Sequence, residues 1–314
     1  MKRLVVAALA VLLTTAAHAE WPEKPITMIV PYNPAGTTDL LAREAADALS
    51  KALGQPVVVE NKPGAGGVLG TSLAAQAKND GYTVLYGNNA TQIVQPVTNS
   101  AAKYDPLKDF TSIASTSDTA TFFGVLKSRN INTLEEFVAY AKEHPGMKYG
   151  TAGVGSIGQF TVEMFAIAAG VKFRHIPYEG SNPAFAAMMS GETDFMMDPV
   201  VYGQGDPEKV KILAVMSDQR YPGLPDVPTA RERGYDAAIT GWFGLLAPAG
   251  IPDEAKRKMS AALEAMTSDP AYQERVKKLG LVPNFRGPDA LQAQIETDLK
   301  VFTDLRDKIG IQKR

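Results

Sequence analysis

Short β-branched runs alternate with amphipathic stretches along most of the chain. Residues 26–30 predict a strand, and residues 39–53, whose apolar positions recur three and four apart, predict a helix. A strand over 56–60, a helix near 68–78 and a strand over 82–86 repeat the cycle. This alternation favours an α/β fold with mainly parallel sheets and right-handed crossovers.

The alternation stops at a turn and a polar, strand-like run over 111–117, and a second α/β cycle follows. Its strands are predicted at 122–126, 148–151, 173–177, 193–197 and 211–215. Asn132, with Glu135 three residues later, predicts a capped helix start. The Pro-rich segment 221–228 excludes regular structure. A strand-like run at 242–247, two helices near 252–279 and an amphipathic helix near 287–309 complete the pattern.

We therefore expect two α/β lobes. The chain builds lobe 1 from residues 20–120, passes through lobe 2 at residues 121–241, and returns to lobe 1 over residues 242–314. Two crossings between the lobes make a hinge, and a cleft between such lobes suits a small molecule.

The first 19 residues have the pattern of a secretory signal peptide. Lys2 and Arg3 precede a 14-residue apolar run, and Ala17-His18-Ala19 forms a cleavage site before Glu20. A helix of that length rises about 21 Å, which is too short for a hydrocarbon core of roughly 30 Å. The pattern predicts a mature protein that works outside the cytoplasm.

Composition narrows the possible chemistry. The chain has no cysteine, which excludes disulfides, thiolate catalysis and Cys-ligated metals. Beyond the predicted signal there are 30 basic and 34 acidic residues, for a net charge of −4 with His neutral, and no basic tract. We therefore expect no nucleic-acid or anionic-membrane partner. His144 and His175 lack ligand spacing and are interpreted as structural, so no metal, cofactor or catalytic residue is predicted.

Glycine-rich loops between predicted strands and helices aim free backbone N–H groups at an anion. The first contains Tyr32, Asn33, Ala35, Gly36, Thr37, Thr38 and Asp39. Its two Thr hydroxyls can donate hydrogen bonds, and Asp39 can cap the following helix. An ordinary strand-to-helix turn is the alternative.

The second loop, residues 150–158, contains Thr151, Gly155 and Ser156. Gly153, Gly155 and Gly158 also match G-x-G-x-x-G, with Glu179 21 residues beyond Gly158, so a dinucleotide-dependent oxidoreductase is an alternative. An exported location argues against it. Ser156 is interpreted as a helix N-cap that helps to hold a carboxylate.

Three further features complete the candidate site. Asn88 and Ala90 follow the third predicted strand and offer amides at the same sheet edge. Asp198 follows a buried-looking strand and is the one carboxylate expected to face the cleft, with a turn before Pro199 as the alternative. Tyr32, Phe160 and Tyr202 can supply aromatic walls or simple core packing. The loop at 61–67 lacks a P-loop ending and is interpreted as a turn.

The loops and their order resemble the periplasmic solute-binding proteins of tripartite tricarboxylate transporters, the Bug or TctC family. Leu224-Pro225-Asp226-Val227-Pro228-Thr229 is one of the matching segments. The others are at 21–26, 30–39, 59–67, 80–83, 104–106, 144–146, 153–156, 175–178 and 247–250.

The resemblance implies a monomeric, two-lobed Venus flytrap that binds a small carboxylate and presents it to integral membrane transporter subunits. It implies that residues of the first two loops grip the carboxylate. Two positions depart from the family pattern: Ala35 replaces a usual Gly, and Gln159 replaces a frequent His. A sensor module that signals to a membrane kinase would use the same flytrap and is not separated from transport by sequence.

Overall fold

A computed structural model describes residues 20–313. The predicted signal peptide lies outside these residues. Within the described part, no helix combines the length and the apolar character that crossing a membrane requires.

Strands and helices alternate as the sequence pattern predicts. The strands are β1 (Ile26–Val30), β2 (Val57–Asn61), β3 (Thr83–Asn88), β4 (Phe110–Thr119), β5 (Phe122–Leu126), β6 (Lys148–Thr151), β7 (Arg174–Pro177), β8 (Phe195–Asp198), β9 (Val210–Val215), β10 (Gly241–Pro248) and β11 (Leu281–Arg286). The helices are α1 (Thr37–Leu53), α2 (Val68–Ala75), α3 (Gln95–Thr98), α4 (Leu134–Glu143), α5 (Ile157–Ala169), α6 (Ser181–Met189), α7 (Val200–Gln204), α8 (Asp253–Ser268), α9 (Pro270–Lys278) and α10 (Pro288–Ile309).

The strands form two separate sheets. The first has six strands in the order β11-β4-β10-β3-β1-β2, and the second has five in the order β7-β6-β8-β5-β9. The chain enters the second sheet between Thr119 and Phe122 and returns to the first between Val215 and Gly241. The predicted two-lobed α/β fold is confirmed.

The prediction of mainly parallel sheets is wrong, because both sheets are mixed. β1 is parallel to β2 and β3, and β6 is parallel to β7 and β8. β4, β10 and β11 pair antiparallel in the first sheet, as β5, β8 and β9 do in the second. The reason is connectivity: β4 leaves the first sheet and β10 re-enters beside it, with Gly241 opposite Thr119, so the two strands run in opposite directions.

The start of α4 lies one residue later than the capping pattern predicts. Thr133, not Asn132, is the N-cap, and its side chain accepts a hydrogen bond from the backbone N–H of Glu136 at 3.1 Å. The Glu136 carboxylate in turn accepts from the backbone N–H of Asn132 at 2.7 Å. The box is therefore Thr133 with Glu136, which has the same spacing shifted by one position.

The C-terminal helix α10 packs against both halves of the chain. Phe302 is 2% exposed, and its ring centre lies 4.8 Å from that of Phe160 on α5. The same apolar cluster contains Trp242 of β10 and Leu246, both buried. Helix α10 therefore joins the core of the first sheet to a helix that follows β6 of the second.

We expect Phe302→Ala to lower the free energy of unfolding by about 3–5 kcal/mol, because it leaves a cavity in this cluster. The neighbouring Val301→Ala is the matched control, since Val301 is 37% exposed and should change stability by about 0.5 kcal/mol or less. Urea unfolding of both variants measures the difference. Equal effects would contradict the described packing of α10.

Candidate functional site

In each sheet, two neighbouring parallel strands end on the same side, and the connections that follow them run in opposite directions. In the second sheet β6 lies between β7 and β8, so the chain leaves β6 toward one side while β8 connects toward the other. In the first sheet, the loops after β1 and β3 diverge in the same way. Such a switch point, at the carboxyl ends of parallel strands, is where open α/β sheets bind ligands.

The first turn of α5 lies at the switch point of the second sheet. Its N-cap Ser156 accepts a hydrogen bond from the backbone N–H of Gln159 at 3.3 Å. The side-chain oxygen of Gln159 accepts from the backbone N–H of Gly155 at 2.7 Å. The first-turn N–H groups of Ile157 and Gly158 have no intrahelical partner by geometry, so this end of the helix attracts an anion.

Gly158 sets how closely α5 approaches the sheet. A methyl group at this position would lie 3.0 Å from the carbonyl oxygen of Met197, the residue before the last of β8. Such a contact is tighter than most that side chains make, so glycine favours the close packing of the helix start against the strand end. The third glycine of the G-x-G-x-x-G pattern therefore serves helix packing here.

A cavity of about 730 Å³ lies between residues of the two sheets. From the first side it is lined by Ala90, Val94, Gln95, Thr98 and Asn99. From the second side it is lined by residues that include Gly155, Ser156, Ile157, Gly158, Ser181 and Asp198. The two sides also touch, since a methyl group at Gly155 would lie 3.2 Å from the Thr98 methyl carbon.

Ala90 is a predicted site residue, but several other cavity residues carry no signal in the sequence. Ala90 and Val94 belong to a π-helical turn, Ala90–Val94, that continues directly into α3. Such turns are frequent at functional sites, but nothing in the residue pattern announces this one. Ile311 and Gln312, which follow α10, also line the cavity. The sequence places them about 150 residues from the loops that they meet.

Of the predicted site residues, Ala90, Gly155, Ser156 and Asp198 line this cavity. The loop after β1 lies next to it without lining it. Tyr32 donates a hydrogen bond to the Asn88 side-chain oxygen at 3.2 Å, and the Asn88 amide donates to Thr38 at 3.4 Å. Asn33, Gly36 and Thr37 are exposed, and their contact with a ligand stays a prediction.

Asp39 is occupied by contacts within its own loop. It is 2% exposed and accepts hydrogen bonds from the backbone N–H of Ala35, from Asn61 and from Arg43, each at 2.9 Å. Burial raises its pKa, but these donors outweigh burial and lower the pKa overall. Ala35 itself has φ +68°, a left-handed conformation that glycine adopts more readily than alanine. Asp39 therefore holds the loop shape.

Thr151, which is buried, and His175, which is partly buried, form a pair behind the second loop. The Thr151 hydroxyl lies 2.6 Å from the His175 Nε2 and also contacts Gly153. The His175 ring stacks on Tyr149 with ring centres 4.9 Å apart. Burial lowers the pKa of His175 to about 4. The contacts agree with a structural role for His175, and Thr151 does not line the cavity.

Asp198 ends β8 at the cavity. It is 8% exposed, and its two oxygens accept from the Ser181 hydroxyl at 2.8 Å and the Val200 backbone N–H at 2.9 Å. Burial raises its pKa, and the two donors oppose that rise. Of the proposed aromatic walls, Phe160 is fully buried against Phe302, and Tyr202 stacks on Phe122.

Two α/β lobes with a cavity between them are the architecture of α/β solute-binding proteins. Residues 41–310 match the sequence profile of the tripartite tricarboxylate transporter family receptor, TctC. The chain belongs to this family, whose members are periplasmic solute-binding proteins and not enzymes. The oxidoreductase alternative is therefore set aside.

The similarity to known relatives extends over nearly the whole chain. A Cupriavidus necator protein, named for the gbd 5′ region, is 32% identical over 97% of this chain and 93% of its own length. The structure of a TctC solute-binding protein from Polaromonas without ligand has a TM-score of 0.83 at 32% identity, over 92% of this chain and 99% of that one.

Two Rhodopseudomonas palustris structures contain small acids. One, with adipate, has a TM-score of 0.76 at 28% identity and covers 93% of this chain and 99% of its own. The other, MatC with bound malate, has a TM-score of 0.70 at 29% identity and covers 91% and 99%.

Burial of His175 makes stability depend on pH. The unfolded chain protonates it near pH 6.5, whereas the folded protein does so near pH 4, so its contribution is lost as pH falls across that window. Relative to His175→Gln, the wild type should lose up to about 1.4 kcal/mol of unfolding free energy per pH unit there.

Urea unfolding at pH 7, 6, 5 and 4 measures this slope. The comparison isolates His175, because every other titratable group is common to the wild type and to His175→Gln. Parallel stability profiles for wild type and His175→Gln would show that His175 is not held neutral.

Proposed function

We propose that this protein is an extracytoplasmic receptor that binds a small carboxylate between its lobes and delivers it to a tripartite tricarboxylate-type membrane transporter. The observation that carries the proposal is the first turn of α5 at the cavity wall, where Ser156 and the free amides of Ile157 and Gly158 provide donors for a carboxylate. Adipate and malate in related structures support a carboxylate ligand.

A ligand that binds residues on both sides of the cavity at once should favour closure of the two lobes. The donors on α5 face Gln95, Thr98 and Asn99 across the cavity. The Asn99 amide donates to the Gln95 side-chain oxygen at 2.8 Å, which leaves the Gln95 amide hydrogens for a ligand or water. A ligand that completes bonds on both sides favours the conformation in which both are within reach.

The proposed receptor has defined boundaries. Residues 1–19 are the cleaved signal, lobe 1 comprises 20–120 and 242–314, and lobe 2 comprises 121–241. The exchange of the chain between the two sheets near Thr119 and Gly241 supports these limits. The receptor works as a monomer, and the integral membrane subunits of the transporter are its partners.

A thermal-shift screen of the purified protein against small carboxylates, with NAD and NADP as controls, tests the function. A carboxylate present at 100 times its dissociation constant should raise the free energy of unfolding by about 2.7 kcal/mol. Shifts with the dinucleotides alone would contradict the proposal.

Ser156→Ala tests the carboxylate anchor. It removes a cap and a hydroxyl donor, so it should cost about 1 kcal/mol of stability and weaken carboxylate binding about tenfold. Thr133→Ala is the matched control, because Thr133 caps α4 through the same type of hydrogen bond. It should cost similar stability and leave the affinity unchanged by calorimetry. Equal carboxylate affinities of the two variants would show that the carboxylate does not bind at the first turn of α5.

A further inference from the structure

Asp198 has unused hydrogen-bonding capacity toward the cavity. Each of its carboxylate oxygens accepts one protein donor, from Ser181 or from Val200. A carboxylate oxygen can accept a second donor. Among the described residues that line the cavity, Asp198 is the single ionisable side chain.

The negative group lies beside the positive end of α5. Gly158 in the first turn packs on the carbonyl of Met197, and Asp198 is the next residue along β8. One wall of the cavity therefore has two neighbouring groups. The first-turn amides of α5 attract the carboxylate of a ligand, and the carboxylate of Asp198 attracts a hydrogen-bond donor of that ligand. The complement of this pair is a small molecule with an acid group and a cationic donor on adjacent atoms.

Other acids match this wall less well. The second carboxylate of a simple di-acid, turned toward Asp198, would meet a like charge in a buried setting, which is unfavourable. A hydroxyl would form a neutral donor contact. An ammonium group would form a charge-assisted hydrogen bond and compensate the buried carboxylate.

We propose that Asp198 is the specificity-determining residue of the cavity and binds the ammonium group of an amino-acid ligand. This inference rests on the proposed carboxylate receptor and narrows its ligand class. Ser181 positions the carboxylate of Asp198 and does not replace it as the acceptor.

Calorimetry with three matched series tests the inference: alanine, lactate and propionate; aspartate, malate and succinate; glutamate, 2-hydroxyglutarate and glutarate. Within a series the ligands differ only in the ammonium, hydroxyl or hydrogen at one carbon. In at least one series the wild type should bind the ammonium member about tenfold to a hundredfold tighter than the hydrogen member.

The variant Asp198→Asn keeps the size of the side chain and removes its charge. It should lose about tenfold or more of the affinity for the ammonium member and retain the affinity for the hydrogen member. If Asp198→Asn does not fold, the order of ligands measured on the wild type within each series keeps the test decisive.

The outcomes separate the two proposals. Wild-type binding of succinate, glutarate or propionate as tight as that of the matching amino acid would overturn the role of Asp198 and leave the carboxylate receptor intact. Absence of binding by these acids and by every other carboxylate in the thermal-shift screen would overturn both.

Discussion

The close packing of α5 against the end of β8 is the contact on which the proposed site depends. Because β6 and β8 are parallel neighbours, the helix that follows β6 begins at the same edge where β8 ends. Gly158 lets the first turn approach the Met197 carbonyl, and this brings free helix amides next to Asp198. A side chain at position 158 would press on the Met197 carbonyl and force the first turn or the strand end to shift by a few tenths of an ångström.

The electrostatics of the cavity follow from that packing. A protein with more acidic than basic residues can bind an anion when aligned backbone N–H groups supply local positive potential. Here Gln159 fixes the loop by accepting from Gly155, so the donors left for a ligand are those of the first helical turn and the Ser156 hydroxyl. The side chain of Gln159 thus decides which amides are available.

The local sequence pattern predicted many of the secondary-structure elements and some of the residues that line the cavity. Period-two and period-3.6 patterns located most strands and the longer helices, but they missed β11 and the short helices α3, α6 and α7. Strand-loop-helix order indicated Ser156, and the end of a buried-looking strand indicated Asp198, as cleft residues. The antiparallel strands were not predictable in the same way, since the direction of β10 depends on its return beside β4, over 120 residues earlier in the chain.

Long-range contacts explain the remaining differences. The engagement of Asp39 depends on Asn61, 22 residues away, as well as on Arg43, so its role as a loop brace needed the folded structure. Ile311 and Gln312 reach the cavity because the buried face of α10, which includes Phe302 against Phe160, anchors that helix. Residue type alone carries no trace of such a contact, because an apolar residue after a helix has many equivalent places to pack.

A distance measurement between the lobes tests most directly whether the ligand bridges them. The absence of cysteine allows spin labels at Lys51→Cys on α1 and at Lys172→Cys after α5, both exposed positions. Double electron–electron resonance should show a single, shorter distance when a carboxylate identified by thermal shift is added, and Ser156→Ala should require more ligand for the same change. An unchanged distance distribution at saturating ligand would contradict closure of the two lobes around the bound acid.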